Sequence, residues 1–238
     1  MKRAENDCPG NETTAVKTTE EIARLRMAAR FTQQILEEIL PLIRPGVTEL
    51  DIAQEIGSKM RQRGLEPAFD TIVASGENGA EPHAVPSERK LVCGDMITID
   101  LGCKYEGYCG DMTRTFALGF VPDELKIIYE TVKNAQKAGL LAVSDGIICR
   151  NVDAASRSII AQAGFGEYFI HGTGHGVGRE VHEFPRVNAS SDVMLQKNMV
   201  ITIEPGIYIK GKGGVRIEDT VVVGGGNFFD FTKELIIL

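Results

Sequence analysis

The chain has 238 residues, of which 43% are hydrophobic and 25% are charged, and its formal net charge is −7. This length and composition fit one globular domain with a substantial core, and the acidic balance argues against nucleic-acid binding. No apolar run approaches the roughly 18 residues of a membrane-spanning helix, so we expect no membrane segment.

The N-terminal segment, residues 1–17, is polar and predicts a disordered tail without the apolar stretch of a signal peptide. The five cysteines are scattered and include no C-x-x-C pair, so we expect reduced thiols. These features predict a cytoplasmic protein whose folded domain spans residues 18–238.

The first half of this domain is predicted to contain two helices followed by strands. A capping signal at Thr18 begins a helix with apolar residues at helical spacing, and Pro45 lies beyond its end. Thr48 begins a second helix that extends to about residue 63. The following predicted elements are a strand over 69–74, a glycine-rich loop over 75–86 and a strand unit over 92–118.

The second half repeats this order. Pro122 precedes a helix that extends to about residue 143, and a second helix follows. The remaining predicted boundaries are 152–163 for that helix, 171–181 for a loop rich in glycine and histidine, and 199–223 for a second strand unit. The chain is therefore predicted to be α+β, built from two related halves of helix, helix and β-ribbon.

One short phrase occurs in both strand units and ends each time in an acid. MITIDLG, which contains Asp100, returns as VITIEPG, which contains Glu204, and each copy is followed by a turn-rich stretch and another acid, Asp111 or Glu218. Two such units are predicted to bring four carboxylates close together. Because clustered acids in a partly buried cleft cannot all stay ionised unless cations neutralise them, the repeat predicts a metal site.

The histidines give a second signal. The chain has four, and His171, His175 and His182 fall in one glycine-rich stretch. Glycines let the backbone pass close to a ligand or a metal. Imidazole combined with carboxylate suits Mn, Fe, Co or Zn better than Ca or Mg. A phosphate-binding loop is excluded because no Gly-Lys-Ser/Thr follows the glycines.

These residues resemble a known ligand set. Asp100, Asp111, His175, Glu204 and Glu218, with their flanking residues, look like the five metal ligands of the pita-bread dinuclear metallopeptidases, which include methionine aminopeptidases, Xaa-Pro aminopeptidases and prolidases. The resemblance covers nearly all of residues 18–238 and implies the pita-bread (creatinase/aminopeptidase) fold with a pseudo-twofold repeat.

Further motifs resemble the Xaa-Pro aminopeptidase and prolidase branch. They are PHAVPSERK at 82–90, HGTGHGVG at 171–178, and Arg216 two residues before the last ligand. Typical members of that branch carry a large N-terminal domain, whereas here only the short polar segment precedes the first helix. We therefore expect the catalytic domain alone.

The resemblance also implies roles for these residues. Asp111 and Glu218 are expected to bridge two divalent ions, manganese first, with cobalt, iron and zinc as alternatives. Asp100 is expected on one ion, and His175 and Glu204 on the other. A water molecule held between two cations, roughly 3.5–4 Å apart, forms hydroxide near neutral pH and attacks the scissile carbonyl carbon.

The remaining roles concern proton transfer and substrate. Glu204 is the expected proton shuttle, while His83 and His182 are expected to stabilise the tetrahedral intermediate and contact the scissile amide. His171 is expected to line the pocket for the residue after the cut, and Arg216 to orient carboxylates.

The function expected from this resemblance is removal of the N-terminal residue from small peptides with proline in the second position. A methionine aminopeptidase or a prolidase is the alternative among enzymes. Outside this activity, a creatinase-like enzyme or a non-catalytic binding module of the same fold is disfavoured because the full ligand set is present. A homodimer is common in the family.

Overall fold

A computed structural model describes residues 12–238 of the chain, with side chains described from residue 14. In these residues five α-helices form: α1 Glu12–Ala15, α2 Thr19–Ile39, α3 Glu49–Gln62, α4 Asp123–Ala142 and α5 Cys149–Gln162. Three short 3-10 helices cover Leu40–Leu42, Gly76–Ala80 and Gly166–Tyr168. No helix in this part of the chain is long and apolar enough to cross a membrane.

The strands are short and follow the helices of each half. They are β1 Glu66–Pro67, β2 Ile72–Ser75, β3 Met96–Leu101, β4 Cys103–Tyr105, β5 Tyr108–Cys109, β6 Met112–Ala117, β7 Gly174–Gly176, β8 Glu183–Val187, β9 Val200–Ile203, β10 Gly206–Ile209, β11 Gly213–Arg216, β12 Asp219–Val222 and β13 Gly226–Asn227. The first half contributes a sheet of order β2-β3-β6 and the second a sheet of order β13-β12-β9-β7-β8.

The two copies of the repeated phrase occupy equivalent strands. β3 lies between β2 and β6, and β9 lies between β7 and β12, with antiparallel pairing throughout. Both strands are almost entirely buried, and the helices of each half pack against them. The predicted α+β, pita-bread fold with its duplicated halves is confirmed.

The capping signals begin the first two long helices as predicted. The Thr18 side chain accepts a hydrogen bond from the Glu21 amide, and the Glu21 carboxylate accepts one from the Thr18 amide. Thr48 and Asp51 repeat this capping box at α3. Each box satisfies amides that the first helical turn leaves without partners.

The N-terminal segment differs from its prediction. Residues 1–11 lie outside the described residues, but α1 begins at residue 12, Ala15 is buried, and Val16 pairs with Met199. Lys17 Nζ lies 2.7 Å from Glu183 Oε2, and both side chains are buried. The predicted tail is therefore wrong for residues 12–17, because apolar contacts and one ion pair fix a segment whose composition is polar.

The glycine–histidine stretch is also more regular than the predicted loop. Its centre forms β7, which joins β8 to β9. A Cβ at Gly174 would collide with the carbonyl oxygen of Thr202, and one at Gly176 with that of Phe184. Glycine is needed here because neighbouring backbones approach too closely for a side chain.

Candidate metal centre

The equivalent strands bring the five predicted ligands to one place. Asp100 lies in β3 and Asp111 immediately before β6, whereas Glu204 follows β9 and Glu218 precedes β12. His175 lies at the centre of β7, with its Nε2 3.1 Å from Glu204 Oε1 and 3.7 Å from Asp111 Oδ2. Ligand atoms of Asp111, His175 and Glu218 all lie within 4.8 Å of one another.

The His175 ring is oriented as a metal ligand requires. Its Nδ1 lies 3.1 Å from the carbonyl oxygen of Gly176 and donates to it, and the Thr202 hydroxyl accepts from the His175 amide at 3.1 Å. An Nδ1 that carries the proton leaves Nε2 as the coordinating nitrogen. This nitrogen faces the acids.

The acids repel one another in this environment. Burial raises the pKa of Asp111 well above its ordinary value, and the charge of Glu218 raises it further. Burial also raises the pKa of Glu218 strongly, with added repulsion from Glu204 and Asp100. A divalent cation would oppose both shifts, because its positive charge favours the ionised carboxylates.

One carboxylate oxygen of Asp100 accepts a hydrogen bond and the other has no hydrogen-bond donor. Its Oδ2 accepts from Arg216 Nη2 at 2.9 Å, whereas its buried Oδ1 has no hydrogen-bond partner. Burial raises the pKa of Asp100, although Arg216 lowers it. Burying a carboxylate oxygen that has no hydrogen-bond donor costs free energy of folding. Coordination of a cation by this oxygen would offset that cost. The residues present therefore fit a divalent metal.

A chain of hydrogen bonds leads from Asp100 to His171. Arg216 Nη1 donates to the Tyr208 hydroxyl at 3.0 Å, and this hydroxyl lies 2.8 Å from His171 Nε2. Because His171 Nδ1 lies 2.8 Å from the Gly172 carbonyl oxygen and donates to it, Nε2 accepts from Tyr208. Burial raises the pKa of Tyr208 to about 12, so its proton is present at neutral pH.

Comparison with known proteins identifies the family. The sequence model of metallopeptidase family M24 matches residues 23–224.

The chain belongs to metallopeptidase family M24.

Two relatives of this M24 chain are similar in sequence. It is 44% identical over 227 residues to the uncharacterized peptidase YqhT of Bacillus subtilis, covering 94% of the chain and 64% of the relative. It is 43% identical over 209 residues to the Xaa-Pro dipeptidase of Pyrococcus furiosus, covering 87% and 60%. The chain thus spans less than two thirds of the length of these relatives.

Two solved structures share its fold. The Xaa-Pro dipeptidase from Bacillus anthracis superposes with a TM-score of 0.93 at 45% identity, covering 95% of this chain and 65% of that one. The X-Pro aminopeptidase from Thermotoga maritima gives a TM-score of 0.92 at 38% identity, covering 95% and 66%. Membership of M24 implies divalent metal ions, and the acid and histidine cluster is the candidate site for them.

The other two predicted histidines of this M24 chain lie around the cluster. The His182 ring packs edge-on against His175, with ring centroids 4.2 Å apart. Desolvation lowers the pKa of His182 to about 4, and the charge of His175 lowers it further. His83 is exposed, and its charge makes a small contribution to lowering the pKa of His171 and of His182.

Two threonines hydrogen-bond to the predicted ligands and were missed by the sequence reasoning. The Thr113 hydroxyl donates to Glu218 Oε2 at 2.7 Å, and the Thr202 hydroxyl donates to Glu204 Oε1 at 3.0 Å. Each threonine is two residues from an acid, Asp111 or Glu204, in or beside a strand. This period-two spacing, which places side chains on one face, is the signal that identifies them.

Proposed function

We propose that this chain is the catalytic region of a metal-dependent peptidase that cleaves the bond before proline, as an Xaa-Pro aminopeptidase. The observation that carries the proposal is the meeting of four acids and His175 Nε2, with one Asp100 oxygen left free. The names of the Pyrococcus, Bacillus anthracis and Thermotoga relatives support proline as the second residue. Two of those names favour a dipeptidase, which is the second candidate.

The proposed ligands divide between two ions. Asp111 and Glu218 would serve both ions, Asp100 would serve one, and His175 and Glu204 would serve the other. Manganese is our first choice because four carboxylates and a single imidazole favour it over zinc or copper, with cobalt, iron and zinc as alternatives. When bound, such ions neutralise the acids, polarise a carbonyl group and lower the pKa of a water molecule.

The protein's own residues have distinct tasks in this proposal. Burial raises the pKa of Glu204, but the hydrogen bond and the charge of His175 outweigh this and hold it at about 2. Glu204 is therefore ionised at neutral pH, and it accepts the proton of the attacking water and transfers it to the leaving nitrogen.

His182 and His83 stabilise the oxygen that becomes negative during attack. With a pKa of about 4, His182 is neutral at pH 7 and donates from one ring nitrogen. Such a donor contributes about 3 kcal/mol to transition-state stabilisation. His171 and Arg216 act on the substrate side of the same site, and both are held by Tyr208.

A panel of three peptides tests the proposal. Purified protein with added Mn²⁺ is assayed on Ala-Pro-Ala, Ala-Pro and Met-Ala-Ser. We expect the highest kcat/KM on Ala-Pro-Ala. A preference for Ala-Pro would instead identify a dipeptidase, and a preference for Met-Ala-Ser would contradict proline recognition and favour a methionine aminopeptidase. Hydrolysis of none of them would refute the enzyme proposal.

Location and assembly are also proposals. A cytoplasmic location is supported by the four cysteines of the described residues, which are all free thiols. Burial raises the pKa of Cys109 to about 12 and that of Cys149 to about 11, which disfavours the reactive thiolate form of both. We expect small peptides as the substrates, and we expect light scattering to reveal a homodimer.

A further inference from the structure

Glu49 is a buried acid that the proposed reaction does not use. It is the first residue of α3, and it is completely buried. Its Oε1 accepts from the Ser75 amide at 2.7 Å and the Ser75 hydroxyl at 2.6 Å, and its Oε2 accepts from the Ser87 amide at 3.1 Å and hydroxyl at 2.6 Å. Asn78 Nδ2 bridges both oxygens at 3.1 and 3.0 Å. This carboxylate therefore holds both ends of one loop.

The loop in question, residues 75–88, packs against β11 through Gly76–Ala80, but its tip is exposed. The tip carries the exposed side chains of Glu81 and His83, and Val85 is 83% exposed. Little apolar surface is buried at the tip, so polar contacts at the two ends of the loop contribute to its order. Only Ala84 among the tip residues 81–85 is buried.

This loop meets the metal centre at one point. The carbonyl oxygen of Pro82 accepts from Arg216 Nη1 at 3.3 Å, and the same guanidinium binds Asp100. His83, the next residue, is near enough to His171 and His182 for its charge to lower the pKa of each. Movement of the loop would shift His83 and remove one acceptor from Arg216.

We propose that Glu49 is a positioning residue that fixes loop 75–88 and thereby holds His83 over the metal centre. Its carboxylate has no direct ion pair among the described residues, and a buried polar group is costly unless it is hydrogen-bonded. The hydrogen bonds that it accepts come from Ser75, Asn78 and Ser87 of the loop, so the carboxylate and the conformation of the loop stabilise each other. The effect on catalysis rests on the proposed function, whereas the effect on the loop does not.

The second half uses a similar device at the equivalent helix. Asp153 on α5 accepts from the amide and the hydroxyl of Thr173 at 3.1 and 2.9 Å. Its partner Arg157 donates to the carbonyl oxygens of Phe169 at 3.0 Å and of His171 at 2.7 Å. In each half, a buried acid on the second long helix holds the segment that carries a histidine of the site.

The test compares Glu49→Gln with Asp51→Asn. Both replacements lie at the start of α3, but Asp51 is an exposed part of the capping box and does not touch the loop. A glutamine at 49 has one acceptor oxygen and presents N–H donors to the amide and hydroxyl of one serine. We expect hydrogen–deuterium exchange over residues 75–88 to be about tenfold faster in Glu49→Gln and unchanged in Asp51→Asn.

Activity gives the second readout. On Ala-Pro-Ala we expect Glu49→Gln to lower kcat/KM about tenfold with the metal content unchanged. In a protein that already carries His83→Ala, we expect the same replacement to lower kcat/KM less than about twofold. Ser87→Ala, which deletes one hydroxyl from the loop side, should give a smaller change in the same direction and serves if Glu49→Gln does not fold.

Two results would overturn the inference. One is loop exchange that is the same in Glu49→Gln, or in Ser87→Ala, as in the wild type. The other is a double variant whose loss in kcat/KM equals the product of the losses in Glu49→Gln and His83→Ala. Such independence would mean that Glu49 does not act through His83. If the wild type hydrolyses none of the peptides, the proposed function fails, and the exchange experiment alone decides the role of Glu49 in the loop.

Discussion

Replacement of Tyr208 by phenylalanine is expected to break the chain of hydrogen bonds between Arg216 and His171. The Tyr208 hydroxyl accepts from Arg216 Nη1 at 3.0 Å and donates to His171 Nε2 at 2.8 Å. Phenylalanine keeps the buried ring but removes both hydrogen bonds. Arg216 then retains Asp100 and the Pro82 carbonyl oxygen, whereas His171 Nε2 loses its partner.

The magnitude follows from the two bonds. A hydrogen bond from a charged donor contributes about 1.5–3 kcal/mol to stability, and a neutral one contributes about 0.5–1.5 kcal/mol. The loss of stability in Tyr208→Phe is smaller than the sum of the two bonds, because the variant no longer buries a polar hydroxyl. We therefore expect a destabilisation of about 2 kcal/mol. For a protein of this size, this corresponds to a fall in Tm of roughly 4–8 °C. Displacement of His171 and Arg216 should also lower kcat/KM about tenfold or more.

The matched control is Tyr129→Phe. Tyr129 is equally buried, and its hydroxyl donates to the Lys233 carbonyl oxygen at 3.2 Å, away from the ligands. We expect this variant to lower Tm slightly and to leave kcat/KM on Ala-Pro-Ala unchanged. Differential scanning calorimetry and steady-state kinetics measure both quantities. Wild-type kcat/KM in Tyr208→Phe, or an equal loss in both variants, would refute the reasoning.

Two further predictions concern the histidines and the acids. His171→Ala should keep its metal ions but lose tens to hundreds of fold in kcat/KM on Xaa-Pro peptides, about 2–3 kcal/mol, whereas His175→Ala should lose metal first. Metal analysis of both variants checks this division, which fails if His171→Ala also loses its ions. Burial and mutual repulsion raise the pKa of Asp111 and Glu218 in the metal-free protein above their ordinary values of 3.8 and 4.5. Folding then takes up protons, so the Tm of the metal-free protein should fall as pH rises above these values, and Mn²⁺ should remove most of this slope. Because the lowered pKa of His182 contributes a slope of the opposite sign, the difference between the two forms decides, and a Tm slope over pH 5–8 that Mn²⁺ leaves unchanged would contradict it.

The fold was predictable because its signals are local. The repeated phrase became β3 and β9, and the capping residues Thr18 and Thr48 began their helices as expected. The meeting of the acids was predictable for the same reason, since an acid at the end of each equivalent strand is visible in the sequence. The assignment of these residues as metal ligands, and their separate roles, stay predictions.

Features that depend on distant partners were not predictable. Lys17 is buried only because Glu183, far along the chain, pairs with it. Glu49 shows as one acid among several at the start of a helix, and nothing local indicates that a loop donates to both its oxygens. Strand β7 was predicted as a loop because glycine is typical of loops. In this strand, glycine instead allows neighbouring backbones to approach closely.

The metal stoichiometry tests the central claim most directly. Purified wild-type protein, dialysed and then titrated with Mn²⁺ in a calorimeter, is expected to bind about two ions per chain, with content checked by elemental analysis. Asp111→Ala and Glu218→Ala should each abolish binding and Ala-Pro-Ala hydrolysis together, because each loses an acid placed to serve both ions. Full activity in either variant, or a wild-type protein that binds no divalent ion, would contradict the account.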